Sequence, residues 1–478
     1  MTTNIFGKIF QATFVFLIVV EMLSLLAHLV SPLNQVVFFI VLIAVLILSL
    51  YKLKYGLYAI LAELFVGGHG YLFALDIGGM SLSIRMGLFL VIIGVWIVKK
   101  SKIQKLKINR LTIFYSLLFA SIIYGLASGL LHNNLNNVFF DFNAWIYFAL
   151  LPIFLTTIKK ENLQNIVQVL VGATTYLSLK TIAVLFLFSH HITGVGGVFY
   201  KWLRDSGVGE ITYMSGTMFR IFFQSQLFCL IGFFVVLTIA IYYFKSKDWK
   251  NYLWLAIYLY LTSIAIVISQ SRSFWVGAVA GLIILFVLAI WKFNFKIKKT
   301  AIVIILLAVM LVDQIFFIQV LTWNFSGNLI ADRFGNLQAE AAGATRLNQL
   351  EPLTHGILEK PILGHGFGKT LTYISNDPRV LEKYPDGNYT TYAFEWGYLD
   401  IALKIGVVGL FIYLALIGYL FFKGISNFQF LISKPLRIGL LVGLVALCVT
   451  NIFSPYLNHP LGIGYILLIS VIIKNDDS

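Results

Sequence analysis

Arg220, Arg272, Arg346 and Glu395 are the residues whose types and settings best suit chemistry on a phosphorylated substrate. Arg272 lies in Ser269-Gln270-Ser271-Arg272-Ser273, a five-residue polar hairpin between two apolar runs. Arg220 sits at the mouth of another apolar run. A guanidinium stays charged and forks onto phosphate, and a lipid-linked diphosphate would present its phosphates at that depth. The competing explanation is that such arginines anchor span ends at lipid headgroups by snorkelling. Glu395 stands in Phe394-Glu395-Trp396-Gly397-Tyr398, where a polar stretch gives way to the next apolar run. A carboxylate there serves as a general base toward a hydroxyl if burial raises its pKa. Equally, it serves as an N-terminal charge that complements the helix dipole.

These residues need a frame. Repeated runs of about 20 apolar residues, each able to cross the hydrocarbon core, place the chain in the membrane class. The reading is an all-α polytopic integral membrane protein with about 14 transmembrane helices (12–14 fit). The expected spans lie near 11–30, 34–51, 56–75, 80–98, 111–131, 139–158, 163–189, 219–244, 251–269, 274–291, 300–321, 397–422, 437–453 and 460–473. Asp141 and Asn143 interrupt the start of the sixth. Glu21, Glu63 and Lys180 fall inside spans, where ionisable residues line a cavity or find a partner. Asp400 and Lys404 are spaced to pair along one helix.

From Thr322 to Trp396 the apolar runs stop. This stretch carries Arg333, Arg346 and four other basic residues beside eight Asp and Glu, with Pro361, Pro378 and Pro385. A loop so long in a compact membrane domain points to function. Within it, Arg346 to Glu359 reads as a short helix with Leu347, Leu350, Thr354 and Ile357 on one face, stopped by Pro361. Gly364-His365-Gly366-Phe367-Gly368 reads as a tight turn. It lacks the flanking strand, helix and Lys-Ser/Thr pair of a nucleotide loop. His355 and His365 have no partner at metal-ligand spacing, so no metal and no cofactor is expected. Cys229 and Cys448 both lie in spans and imply no disulfide framework. The chain divides into residues 1–216 (N-terminal helices with a small outer loop near 190–218), 217–321 (central helices with outer-face arginines), 322–396 (the large loop, with short helices) and 397–478 (C-terminal helices).

The net charge of +15 invites a nucleic-acid reading, and its distribution rejects it. With the N-terminus inside, the expected cytoplasmic segments hold 22 of the 35 Lys and Arg against only four acidic residues. That asymmetry is the positive-inside signature. It puts both termini in the cytoplasm and the large loop outside it.

Taken in order, these segments resemble the bacterial O-antigen ligase and O-antigen polymerase superfamily over about residues 217–410. The residues that carry the resemblance are Thr217-Met218-Phe219-Arg220, then Ser271-Arg272-Ser273, then Arg333 and Arg346-Leu347. Lys360-Pro361-Ile362-Leu363-Gly364-His365-Gly366-Phe367-Gly368 follows, and last the returning span Tyr398-Leu399 … Lys404-Ile405-Gly406-Val407-Val408-Gly409. The resemblance implies a glycosyltransferase of the bacterial cytoplasmic membrane that uses glycans on undecaprenyl diphosphate, without nucleotide sugar or essential metal. Ligases of the superfamily carry His-Asn, or a close variant, at the start of the returning motif, and this chain has Glu395-Trp396. That departure points to a polymerase of capsule, exopolysaccharide or O-antigen repeat units, or to a ligase-like relative with another acceptor. On this reading Glu395, Arg272 and Arg220 are catalytic. Arg346, Arg333, Gly364, His365, Gly366, Gly368 and Tyr398 shape the glycan site. The implied partners are the lipid-linked oligosaccharide and membrane lipids, with a chain-length regulator and a flippase of the same pathway. A lipid-linked oligosaccharide flippase is the rival from another class. It would place its site near the bilayer midplane between inverted repeats, and no such repeat is found.

Overall fold

The computed structural model describes residues 5–77, 80–99, 109–192, 196–243, 249–293, 295–325, 341–426 and 434–474. Arg333 lies outside the described residues. The described chain is mostly helical, with three two-stranded antiparallel hairpins. Seven helices precede the first long central one: α1 (Lys8–Leu29), α2 (Ser31–Tyr51), α3 (Leu53–Val66), α4 (Ile84–Val98), α5 (Arg110–His132), α6 (Leu135–Phe142) and α7 (Leu151–Thr157). Then come α8 (Lys160–Ser189), α9 (Gly196–Asp205), α10 (Gln226–Tyr243), α11 (Trp249–Ser269), α12 (Arg272–Phe293) and α13 (Ile297–Thr322). The large loop holds α14 (Ala341–Asn348), α15 (Leu350–Glu359) and α16 (Pro378–Lys383). The chain continues with α17 (Gly397–Ser426), α18 (Lys434–Thr450) and α19 (Pro460–Lys474). The hairpins are β1 (Ala74–Ile77) with β2 (Met80–Ser83), β3 (Gly209–Ser215) with β4 (Met218–Phe223), and β5 (Leu371–Ile374) with β6 (Asn388–Thr391).

Among the described residues, eight helices are long and apolar enough to cross a membrane, or nine if the bent pair across residues 142–145 counts as one span. The peripheral helices α1, α2 and α13 expose large apolar side chains such as Phe39, Ile47, Ile305 and Val312, as lipid-facing helices do. The central helix α8 is largely buried. Two ion pairs cross the bundle interior. Lys180 Nζ lies 2.5 Å from Glu21 Oε2, and Arg85 forks onto Glu63 through Nε and Nη2, both at 2.9 Å. Burial without such partners would be prohibitive.

Four expected spans are reshaped. The fourth does not begin at Met80: Met80–Ser83 pairs with β1, and α4 starts at Ile84. The third does not run to Leu75: α3 ends at Val66, because Gly67-Gly68-His69-Gly70 turns the chain, with Gly68 and Gly70 at positive φ. The eighth does not begin at Phe219: Met218–Phe223 pairs with β3, and α10 starts at Gln226, whose side chain accepts from Phe223 N at 3.0 Å. The sixth is broken into α6, a 3₁₀ turn (Trp145–Leu150) and α7, with a 44° bend at the break. The expected helix from Arg346 to Glu359 is two helices. Its buried face is Gln349, Leu353 and Gly356, whereas Leu347 and Thr354 are exposed. The break next to Gln349 resets the register.

One local device organises the large loop. α17 is broken at Gly406, which has φ +73°. A break in a helix orphans carbonyls and amides, and inside a membrane protein these must find partners. Here Pro361–Gly368 supplies them. His365 N donates to Leu403 O (2.8 Å), Gly366 N to Lys404 O (3.0 Å), and Val407 N donates to Pro361 O (2.8 Å). On its other side the same segment rests on α5, where Phe367 N donates to Gly125 O at 3.0 Å. Gly366 sits at φ +84°, and a Cβ there would come within 2.3 Å of the Gly129 amide nitrogen. The expected tight turn is therefore a buckle that clasps the broken helix to α5.

Candidate active site

The sequence-derived residues fall into two groups. Arg220, on β4, donates from Nε to Ser269 O (2.9 Å) and lies over the Phe222 ring. Arg272 opens α12 beside Ser273, whose hydroxyl bonds those of Ser271 and Ser454, each at 3.0 Å. Next in sequence to Ser454, Phe453 packs on Trp396 with ring centroids 5.5 Å apart. Trp396 in turn donates to Arg346 O (2.8 Å), and Arg346 Nε is ion-paired with Glu395 Oε2. Contacts and chain neighbours thus link the Ser271–Ser273 segment that carries Arg272 to the Arg346–Glu395 pair. We call this set the arginine rim. The pair is 30% and 40% exposed, so neither partner is locked in the protein interior. Gln349 staples it: its Oε1 accepts from Glu395 N (3.0 Å), and its Nε2 donates to Tyr373 Oη (3.1 Å). Gln349 was not among the expected site residues. Its signal was a polar residue on what proves to be the buried face of the loop helices.

The other expected residues are held by protein. Gly364, Gly366 and Gly368 all have positive φ and belong to the buckle. His365 is buried, and its Nε2 meets Gly356 O at 2.8 Å. Burial holds its imidazole below the usual range. Tyr398 donates its hydroxyl to Cys448 O (2.7 Å) and so ties α17 to α18.

Behind the rim lies a cavity of about 360 Å³ that sequence reasoning did not assemble. Its walls come from the turn after α3 (His69, Tyr71), the start of α4 (Ser83, Arg85, Met86, Phe89), and the bend around Asp141–Tyr147. The end of the large loop (Tyr392–Phe394), the first turns of α17 (Asp400, Lys404) and residues 455–460 complete it. Lys404 is the hub. Its Nζ is 2.5 Å from Asp141 Oδ1 and 2.7 Å from Asp400 Oδ1. The expected Asp400–Lys404 pair is present, and Asp141 joins it. Asn458 donates to Asp400 Oδ2, and the buckle's Gly368 N donates to Asp141 Oδ2 at 2.8 Å. The buckle therefore fixes both the helix break and a carboxylate of the cavity.

His69 and His459 face each other across the cavity wall, with ring centroids 5.6 Å apart. Burial, then the Arg85 guanidinium, holds the His69 imidazole down to about 4. Burial, then His69 and Arg85, holds His459 well below its ordinary value. Both are neutral near pH 7. Arg85 Nη1, Tyr147 Oη and Asn458 Oδ1 are buried and find no hydrogen-bond partner among the described residues. The sequence signal for this site was Arg85, a charge inside the fourth apolar run, together with the polar interruption at Asp141.

A polytopic helical membrane protein with a large loop clasped to a broken helix, an arginine rim and a polar cavity is the class these features define. Residues 255–414 match the family model described as O-antigen ligase. That match supports the O-antigen ligase and polymerase superfamily for this chain, over the region that carries Arg272, the large loop and the broken helix. It supports membrane glycan processing of the ligase and polymerase type by a glycosyltransferase-like enzyme, with a lipid-linked glycan as substrate. No curated protein matches the chain.

Proposed function

We propose that the protein polymerises undecaprenyl-diphosphate-linked oligosaccharide repeat units of a capsule, exopolysaccharide or O-antigen on the outer face of the cytoplasmic membrane. The observation that carries this reading is the half-exposed Arg346–Glu395 pair, tied by contacts to the Arg272 hairpin. The acceptor hydroxyl attacks the anomeric carbon of the donor glycan. The new C–O bond forms as the bond to diphosphate breaks, and the electron pair leaves with undecaprenyl diphosphate. Arg220 and Arg272 stabilise the charge that grows on that leaving group. Glu395 accepts the hydroxyl proton. Arg346 occupies the carboxylate oxygen Oε2 of Glu395, so it must move off Glu395 before the hydroxyl can hand that oxygen its proton. The donor's diphosphate is the stronger attraction for a guanidinium fork and draws Arg346 away. With so good a leaving group, positioning and charge stabilisation carry most of the rate.

The description of the matched family favours a second reading, in which the same chemistry delivers glycan to a lipid or protein acceptor. The outer placement rests on the lysine and arginine asymmetry. A reporter fused after Asn336 then signals from outside and one after Lys105 from the cytoplasm; the reverse pattern overturns the mechanism. The decisive variant is Glu395→Gln. It keeps size and hydrogen bonding but takes no proton. We expect single lipid-linked repeat units to accumulate at normal protein levels, whereas near-normal chain lengths would exclude Glu395 as the base.

A further inference from the structure

We propose that part of the large loop is not in water: the stretch from Leu358 to Leu363 is seated in the bilayer, with lipid acyl chains as its partner. The seat lies in the leaflet on the loop's own side of the membrane. It is independent of the transfer reading above, because nothing in it depends on a substrate.

The stretch closes α15 and opens the buckle. Leu358 is 75% exposed and Ile362 65%, and Leu363 is exposed beside them. The other end of the same loop has a different surface. Between Arg379 and Asn388 the exposed side chains include Arg379, Glu382, Lys383, Asp386 and Asn388. One end of the loop is thus built for water, and the other presents a cluster of large apolar side chains.

The neighbours of that cluster identify its surroundings. Val407 N donates to Pro361 O (2.8 Å) and Val408 N to Ile362 O (3.3 Å). The stretch therefore runs beside the part of α17 where Val407, Val408 and Phe411 are exposed. Both of these loop carbonyls are taken by protein, as contact with lipid demands of backbone. On α5, Ile123, Leu130 and Leu131 are exposed, and so is Leu135 at the start of α6. Loop, α17 and α5 together present one apolar surface, continuous with the faces that the long helices show to lipid. That continuity selects acyl chains over a protein partner.

Depth follows from α5. At about 1.5 Å per residue, Arg110 to Leu131 covers about 31 Å, against a hydrocarbon core of about 30 Å. The apolar belt therefore reaches Leu131. The buckle meets α5 before that point: Phe367 N donates to Gly125 O at 3.0 Å, and Gly366 abuts the Gly129 amide. These contacts fall about 9 and 3 Å short of Leu131 along the helix axis, inside the belt. Lys360 is exposed next to the cluster, and its long side chain carries the ammonium out to the headgroups while its stem stays in the belt. Seating one end of α15 also sets the height of the other. Gln349, which holds Glu395 N, precedes this ten-residue helix, so the Arg346–Glu395 pair stands within about 15 Å of the seat.

The test is spin labelling of the full-length protein in lipid nanodiscs. Labels are placed through Leu358→Cys and Ile362→Cys. Leu131→Cys is the lipid reference and Glu382→Cys the water reference, and all four positions are exposed. The unsubstituted chain, with Cys229 buried and Cys448 half-buried, is the labelling blank. Relaxation by oxygen, which concentrates among acyl chains, is compared with relaxation by a water-soluble nickel chelate. We expect both loop labels to match Leu131→Cys, with oxygen dominant, and to differ from Glu382→Cys. Dominant relaxation by the nickel chelate places the stretch in water and overturns the proposal. Loss of access to both reagents means that a second copy or another protein covers the surface, and overturns it as well. If Ile362→Cys fails to fold, Leu358→Cys decides.

Discussion

The arginine rim and the cavity meet along the chain at Phe394-Glu395 and are built on opposite principles. On the rim, Arg346 and Glu395 pair with each other while partly exposed, and Arg220 is anchored on a backbone carbonyl. In the cavity, every cation is buried against carboxylates: Arg85 on Glu63, and Lys404 on Asp141 and Asp400. A half-exposed ion pair exchanges partners at little cost, because water screens both states. A buried network does not, because removing one partner leaves an uncompensated charge. The first arrangement suits a substrate whose own charge arrives and departs. The second suits a wall of fixed shape.

The largest expected effect comes from breaking the buried network. Lys404→Met leaves Asp141 and Asp400 facing each other without their cation. We expect a stability loss of about 3–5 kcal/mol, read as a lower melting temperature of the detergent-purified protein. Adding Asp141→Asn and Asp400→Asn should restore part of it. An unchanged melting temperature would mean that the network is not the support described here.

Breaking the rim should cost activity and spare the fold. Arg272→Ala should lower polymer formation about 10²–10³-fold, the size seen when a charge-stabilising donor is lost, with normal membrane insertion. Arg272→Lys should also be impaired, because an ammonium cannot reproduce a two-pronged contact. Full activity with lysine would reduce Arg272 to an interfacial anchor.

The buckle that joins the regions offers a smaller test. Gly366→Ala adds a Cβ 2.3 Å from a backbone nitrogen at a left-handed φ. A cost of about 1–3 kcal/mol is expected. Gly418→Ala is the control: nothing lies within 4 Å of its Cβ position, so stability should hold or rise slightly. Equal effects from the two substitutions would remove the buckle as the reason for these glycines.

The smallest effect concerns pH. The folded state holds His69 at about 4 and His459 well below its ordinary value, whereas unfolded histidine titrates near 6.5. Between those values the unfolded chain binds more protons, so stability is greatest above pH 6.5 and falls as pH drops toward 4. His69→Gln should flatten that decline in a melting series. An identical slope would show that His69 is not desolvated by the cavity.

How much of this was legible beforehand follows from what kind of interaction sets each feature. Apolar runs, the lysine and arginine asymmetry and the breakers around 322–396 are local facts, since transfer of a segment into lipid depends on its own residues. The Asp400–Lys404 pair was also local, one helical turn apart. The arginines could be named from their types and their place at the ends of runs. The buckle could be recognised as a turn, but not as a partner for a broken helix. That requires Gly406, Gly125 and Gly129 to meet Pro361–Gly368, contacts made across up to about half of the sequence. The strand at Met218–Phe223 was hidden inside an apolar run because only its pairing with β3 distinguishes it from a helix start. The cavity was the least legible feature. His69, Arg85, Asp141, Lys404 and His459 come from five separate segments, and each alone reads as an isolated polar residue. Sequence fixes which groups must find partners, because an unpaired charge in a bundle is too costly to keep. Which partner each one finds is a matter of three-dimensional packing.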